Sequence, residues 1–202
     1  MNDYRDATDV NILARLRAST RPEHDAIENA LDLANGASSC EAYCHLLKRF
    51  YGFYRPLEMG LSLSTVWLVS GLDPAERRKT AWLESDLCAL GVDDLVGLPD
   101  CPDLPPHTTV AAAFGCLYVL EGATLGGQVI SRAIENTLGF RPDSGGRFFH
   151  GYGDGTGPMW QGFRSAITDC VITAPEADEV IIAAKATFSK LHRWLLPEGE
   201  TR

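Results

Sequence analysis

The sequence is short of positive charge: 18 Lys and Arg stand against 27 Asp and Glu, a formal net charge of −9 over 202 residues. A general nucleic-acid binder normally carries the opposite balance, so the composition weighs against that class. It leaves room for a small anionic ligand held by a few placed arginines. No run reaches the roughly 18 consecutive apolar residues of a membrane span. The longest candidate, Val110–Leu120, stops at Glu121. The N-terminus, MNDYRDATDV, is polar and acidic and reads as no secretory signal. Without such a signal, the six cysteines read as reduced thiols in a cytoplasmic protein. Cys40 and Cys44 are four apart with His45 next, but no second cysteine pair completes a tetrahedral zinc set. Also missing are a Gly-x-Gly-x-x-Gly fingerprint after a strand, iron–sulfur cysteine spacing, paired Glu-x-x-His motifs and a Gly-x-Ser-x-Gly elbow.

What is present is helical. Apolar residues make up 45% and charged residues 22%, an ordinary globular balance, and the length suffices for a sizeable core. Ser38 and Glu41 fit a capping box ahead of the periodic run Tyr43, Leu46, Leu47, Phe50, Tyr54, Leu57, which Pro56 should end or bend. Asp73-Pro74-Ala75-Glu76 opens a helix expected to reach about Ala89, with Gly91 as its stop. Four prolines make Leu98–His107 a loop. From Thr108 or Thr109 an apolar helix is predicted to run to about Leu138, closed by Gly139. The connection Arg141–Gly157 is glycine-rich and too irregular for a long strand. Helices follow from Pro158 to about Val171, and from a Thr173–Glu176 cap to Pro197. No repeat, low-complexity tract or composition shift marks a boundary. The chain therefore reads as one all-α domain, with residues 1–10 and 197–202 as flexible ends.

Two segments carry chemistry. Thr20-Arg21-Pro22-Glu23 has the form of a capping box, which would put His24 in the first full turn of a helix with Ala26, Ile27, Ala30 and Leu31 as its apolar stripe. A neutral imidazole so placed can ligate iron through one nitrogen while a neighbour holds the other. Taken alone, it reads more readily as a partly exposed helix histidine. The second segment is Tyr118-Val119-Leu120-Glu121-Gly122-Ala123-Thr124-Leu125-Gly126-Gly127-Gln128. Each glycine inside a helix costs about 1 kcal/mol relative to alanine. Gly122 and Gly126 share a face, where bare backbone would admit either a flat ligand or a closely packed neighbouring helix. Arg77-Arg78-Lys79 reads as a solvated helix face or a docking patch.

Together, Thr20–Asp25 and Leu120–Gln128 resemble the heme oxygenases, in particular the bacterial, biliverdin-producing type found alongside bacteriophytochromes. The likeness extends from about Leu13 to Trp194 and is loose over Arg141–Gly157. It implies an all-α domain with heme between a proximal helix and a glycine-kinked distal helix. By the same resemblance His24 is the iron ligand, and Gly122 and Gly126 lie over the heme. Arg17, Arg21 and Arg164 (in Phe163-Arg164-Ser165) would meet the propionates. Tyr54 belongs to the distal hydrogen-bond network and Phe188 to the pocket wall. The position of the distal aspartate of mammalian-type members is Ala123 here, leaving Tyr54, Gln128 or backbone carbonyls to anchor ordered water. The implied activity is oxidative cleavage of heme b to biliverdin, with alpha regiochemistry favoured, CO and ferrous iron. It would need dioxygen, electrons from a reductase or ferredoxin, and in some settings a bacteriophytochrome to receive the product. No nucleic acid or membrane partner is implied. A non-catalytic heme carrier or sensor would use the same pocket.

Overall fold

The computed structural model describes residues 11–31 and 39–196, and all regular structure among them is helical. The elements are α1 (Ile12–Leu31), α2 (Cys40–Ser62), α3 (Val66–Ser70), α4 (Pro74–Arg77), α5 (Thr80–Ala89), α6 (Val110–Leu138), α7 (Arg147–His150), α8 (Thr156–Cys170) and α9 (Ala174–Leu195). The expected flexible ends, the Ser38 cap and the Pro197 stop lie outside the described residues.

Helix α6 forms the centre and packs most extensively on α9. Its first half is a run of small residues, Ala111, Ala112, Ala113 and Gly115, all buried. At Gly115 a Cβ would lie 2.5 Å from the Val180 carbonyl oxygen and 2.6 Å from the Ala183 Cβ, so only glycine permits the crossing. The helix begins and ends where its sequence signals say. Thr109 accepts from the Ala112 N–H, and Gly139 closes it in the left-handed conformation at φ 78°. By length and composition α6 would suit a membrane span, but 67% of its apolar window is buried inside the protein, as in a core helix. Helix α9 likewise starts on the full Thr173–Glu176 capping box.

Two expected helix boundaries fail, and Pro56, expected to end or bend its helix, does not end it. Thr20–Glu23 is not a helix start, because α1 begins at Ile12 and runs through Pro22. Asn11 accepts from the Ala14 N–H at 3.0 Å, while the Thr20 hydroxyl donates back to the Leu16 carbonyl at 2.8 Å. His24 therefore lies in the later part of the helix. Pro56 does not end α2, which continues to Ser62. The Gly52 carbonyl, deprived of the proline N–H one turn on, accepts from Cys101 N at 2.7 Å instead. The helix expected from Pro74 to Ala89 is broken at Arg78 and Lys79 into α4 and α5. The Glu58 carboxylate, from α2, accepts from Lys79 N at 2.7 Å and from Thr80 N at 3.1 Å, capping α5 from outside. At α2 the cap is Ser39, which accepts from the Ala42 N–H.

Candidate active site

A cavity of about 810 Å³ opens between α1 and α6, within the range of small-molecule sites. From α1 it receives His24, Ile27, Glu28 and Leu31; from α9, Phe188 and Leu191. Facing them is the α6 stretch from Gly122 to Gly127, with Phe50 and Tyr54 of α2, Phe148 and Phe149 of α7, and Lys79.

His24 is half-exposed at 50%. Its Nδ1 is 3.5 Å from Glu28 Oε2, one turn on, and 3.7 Å from Asp25 Oδ1. The ring stands edge-on to Phe188, centroids 5.9 Å apart. His24, Asp25 and Glu28 also make the one cluster among the described residues that could together hold a bare metal ion, and Cys40 and Cys44 join no such cluster.

The glycines separate into two kinds. A Cβ on Gly122 or Gly126 would meet nothing within 4 Å, so these positions face the open cavity and pack against no helix. On Gly127 it would lie 2.4 Å from the Phe149 carbonyl oxygen, so that glycine lets α7 approach. Close helix packing, one of the two readings left open for Gly122 and Gly126, is therefore not what these two glycines serve. Ala123 lines the cavity and offers no polar group.

Around Glu121, the residue preceding Gly122, sits a buried ionic cluster that no local motif announces. Glu121 is 1% exposed and accepts from Arg77 Nη1 and Lys79 Nζ, both at 2.6 Å, and from the Tyr152 hydroxyl at 3.0 Å. Arg77-Arg78-Lys79 is accordingly no solvated face or docking patch: Arg77 and Lys79 are buried and only Arg78 is exposed. Tyr54 is buried, and that burial, reinforced by the charges of Glu58 and Glu121, pushes its hydroxyl pKa far up, so it keeps its proton. Also unforeseen is Asp86, in mid-α5, which accepts from Arg147 N at 2.8 Å and Phe148 N at 2.7 Å and so seats α7 and its two wall phenylalanines.

The cavity brings together His24, Gly122, Gly126, Tyr54 and Phe188. Arg17 stands beside it: its charge acts on the hydroxyl of Tyr118, a lining residue whose pKa is raised by burial and partly restored by Thr20 and Arg17. Arg21 points outward, 3.6 Å from Asp25. Arg164 lies outside the lining, on a shallow depression of about 250 Å³ shared with Leu13, one turn before Arg17. Gln128 is not in the lining either, since its amide donates to the Gly153 carbonyl at 3.1 Å.

A heme oxygenase family model matches residues 10–196. The chain belongs to the heme oxygenase family. It is similar to a heme oxygenase of Xanthomonas campestris pv. campestris (strain 8004), 29% identical over 169 residues that cover 83% of this chain and 96% of that protein. Among solved structures it resembles the NO- and CO-bound heme oxygenase from Neisseria meningitidis, with TM-score 0.75 and 21% identity over 92% of this chain and 90% of that one. It also resembles heme oxygenase-1 of the cyanobacterium Synechocystis in complex with heme, with TM-score 0.72 and 16% identity, covering 92% and 91%. As a heme oxygenase the chain is an enzyme of heme degradation. The residues present suit that group: an imidazole and a side-chain-free stretch of backbone border one cavity, whose walls are mostly aliphatic and aromatic.

Proposed function

We propose that the cavity takes heme b as both substrate and cofactor, with His24 as the iron ligand below and the Gly122–Gly126 backbone above. The observation that carries this reading is the pairing of an imidazole with two glycines whose missing side chains would fill the same space. Glu28, its Oε2 3.5 Å from Nδ1, is the neighbour that would accept a hydrogen bond from Nδ1–H and leave Nε2 as the ligating nitrogen. Gly122 and Gly126 let the distal backbone lie close to a flat molecule and keep acid–base side chains away from its centre. Tyr54, held protonated, donates a hydrogen bond toward ordered water in place of the carboxylate that Ala123 lacks. Propionates reaching past the cavity edge would be met by Arg17 and, further out, by Arg164, whose planar forks suit carboxylates, whereas Arg21 would have to leave Asp25 and turn back to join them. Phe188 steadies the proximal ring from its edge. When bound, heme itself supplies the iron that takes dioxygen and the meso carbon that is oxidised; the chain contributes orientation and electrostatics.

The products are then biliverdin, of the alpha isomer, with CO and ferrous iron. Electrons come from a separate reductase or ferredoxin, the setting is the cytoplasm, and a bacteriophytochrome is the proposed acceptor of the tetrapyrrole. Adding hemin to the purified chain, then reductant in air, tests the reading. A Soret band replaced by the spectrum of a green tetrapyrrole that co-chromatographs with alpha-biliverdin supports it. Heme that persists intact under the same conditions points to a carrier.

A further inference from the structure

We infer that Asp86, which does not itself line the cavity, is the positioning residue that fixes the cavity's buried end and, through it, how a flat ligand is turned in its own plane; this rests on heme occupying the cavity as proposed. The lining divides by exposure. His24, Leu125 and Val129 are about half-exposed and form the open mouth. Phe50, Tyr54, Phe148 and Phe149, each at most 8% exposed, form a buried aromatic end. A flat molecule entering from the mouth meets these four rings, two of which belong to α7. The rings brace one another. The Phe148 centroid lies 5.0 Å from Phe149, 5.1 Å from Phe50 and 5.2 Å from Tyr54, edge-on to the last.

Helix α7 is only four residues long, and its N-cap, Gly146, has no side chain to satisfy the first N–H groups. Asp86 does so from mid-α5: its carboxylate accepts from Arg147 N at 2.8 Å and from Phe148 N at 2.7 Å. The residue is 1% exposed, and burial pushes its carboxyl above the ordinary range, although both N–H groups and the Arg147 charge draw it down. Within α5 an apolar residue would pack at that position without the desolvation cost. What a carboxylate adds there is two acceptor oxygens for successive N–H groups, one of them on a wall residue. Other contacts fasten the flanks of α7. The Tyr43 hydroxyl donates to the Gly145 carbonyl at 2.8 Å, and the Arg147 guanidinium lies over the Trp82 ring at 4.6 Å and donates to the Gly151 carbonyl. Of these anchors Asp86 is the one that grips the backbone of Phe148 itself.

The test uses the full chain loaded with hemin and two readouts. Proton resonances of the heme methyl groups in the ferric complex report how the macrocycle is seated, and chromatography reports the biliverdin isomers. Asp86→Ala is expected to raise the minor seatings at least about threefold against the major one, as for coupled neighbours, and to shift the isomers in parallel. Asp86→Asn, which keeps one acceptor and turns a donor on the other N–H, changes the seating in the same sense but less. Phe148→Leu alters the wall directly and changes the seating too, and Asp86→Asn added to it changes little further. Thr173→Ala, at the α9 cap and outside the cavity lining, keeps the wild-type pattern. Wild-type methyl patterns in both Asp86 variants, full additivity with Phe148→Leu, or an equal shift in Thr173→Ala each overturns the inference. If Asp86→Ala fails to fold, Asp86→Asn decides. A wild-type chain that binds no hemin removes the heme reading and this inference together; one that binds hemin with a seating indifferent to Asp86 removes only the inference.

Discussion

Gly126 and Gly127 are neighbours with opposite surroundings: a Cβ on the first meets nothing within 4 Å, and on the second it would lie 2.4 Å from the Phe149 carbonyl oxygen. A helix turns by about 100° per residue, so one position faces the cavity while the next faces α7. Substitutions at the two should therefore fail in different ways. Gly126→Leu fills the cavity and should leave the melting temperature nearly unchanged while abolishing hemin binding or turnover. Gly127→Leu overpacks a backbone contact and should cost about 1–3 kcal/mol of stability. Thermal melts run beside hemin titrations separate them. Full activity in Gly126→Leu counts against the distal placement.

His24 offers a cleaner optical test. His24→Ala should lose the imidazole-ligated ferric spectrum, and added imidazole should partly restore it, because the vacated space beside Phe188 lies in the cavity itself. Glu28→Gln should keep the ligand but weaken its orientation, since Nδ1 faces Oε2 at 3.5 Å. An unaltered spectrum in His24→Ala refutes the ligand assignment.

Stability against acid should register the α9 cap. The Thr173 hydroxyl and N–H, donating to Glu176 Oε2 at 2.8 and 2.9 Å, hold the Glu176 carboxyl below its ordinary range. A group whose folded pKa is depressed contributes stability above its unfolded value and loses it as pH falls through the folded one. The contribution is thus complete at neutral pH and fades below the ordinary carboxylate value of 4.5. Thr173→Ala should cost about 1 kcal/mol at pH 7 and flatten the acid limb of a plot of melting temperature against pH. A limb of the same steepness in both proteins sinks this account.

The sequence was legible wherever structure is decided within a turn or two. Thr109 and Gly139 bound α6, and the Thr173–Glu176 box opens α9, because caps satisfy backbone groups a few residues away. Thr20–Glu23 misled because proline is common in a first turn, while the buried series Ile12, Leu16, Thr20 already continues one helix face through it. Pro56 and the break at Arg78–Lys79 were illegible since their partners, Cys101 and Glu58, come from elsewhere in the chain. Of the site, His24, Gly122 and Gly126 stand in the two motifs, Tyr54 and Phe188 follow only from the family resemblance, and all five line one cavity. Lys79 and Asp86 could not, because a cation in a basic triplet and an acid in mid-helix look like surface residues until Glu121 and α7 are folded against them.

Arg164 supplies the last prediction. It stands outside the cavity lining, yet its depression includes Leu13, one helical turn before Arg17, and Arg17 in turn acts on the lining residue Tyr118. On the proposed function both arginines would meet a ligand's carboxylates where these emerge toward solvent. Two contacts on a rim fix rotation of a flat ligand better than one, and rotation decides which edge meets the distal backbone. Arg164→Ala should therefore loosen hemin binding modestly and broaden the biliverdin isomers, while leaving the melting temperature of the apoprotein unchanged because the side chain is exposed. Arg17→Ala should weaken hemin binding more, since its charge acts next to the cavity wall. Chromatography of the product isomers checks both. A single isomer with unaltered hemin affinity in Arg164→Ala would take that arginine out of the site.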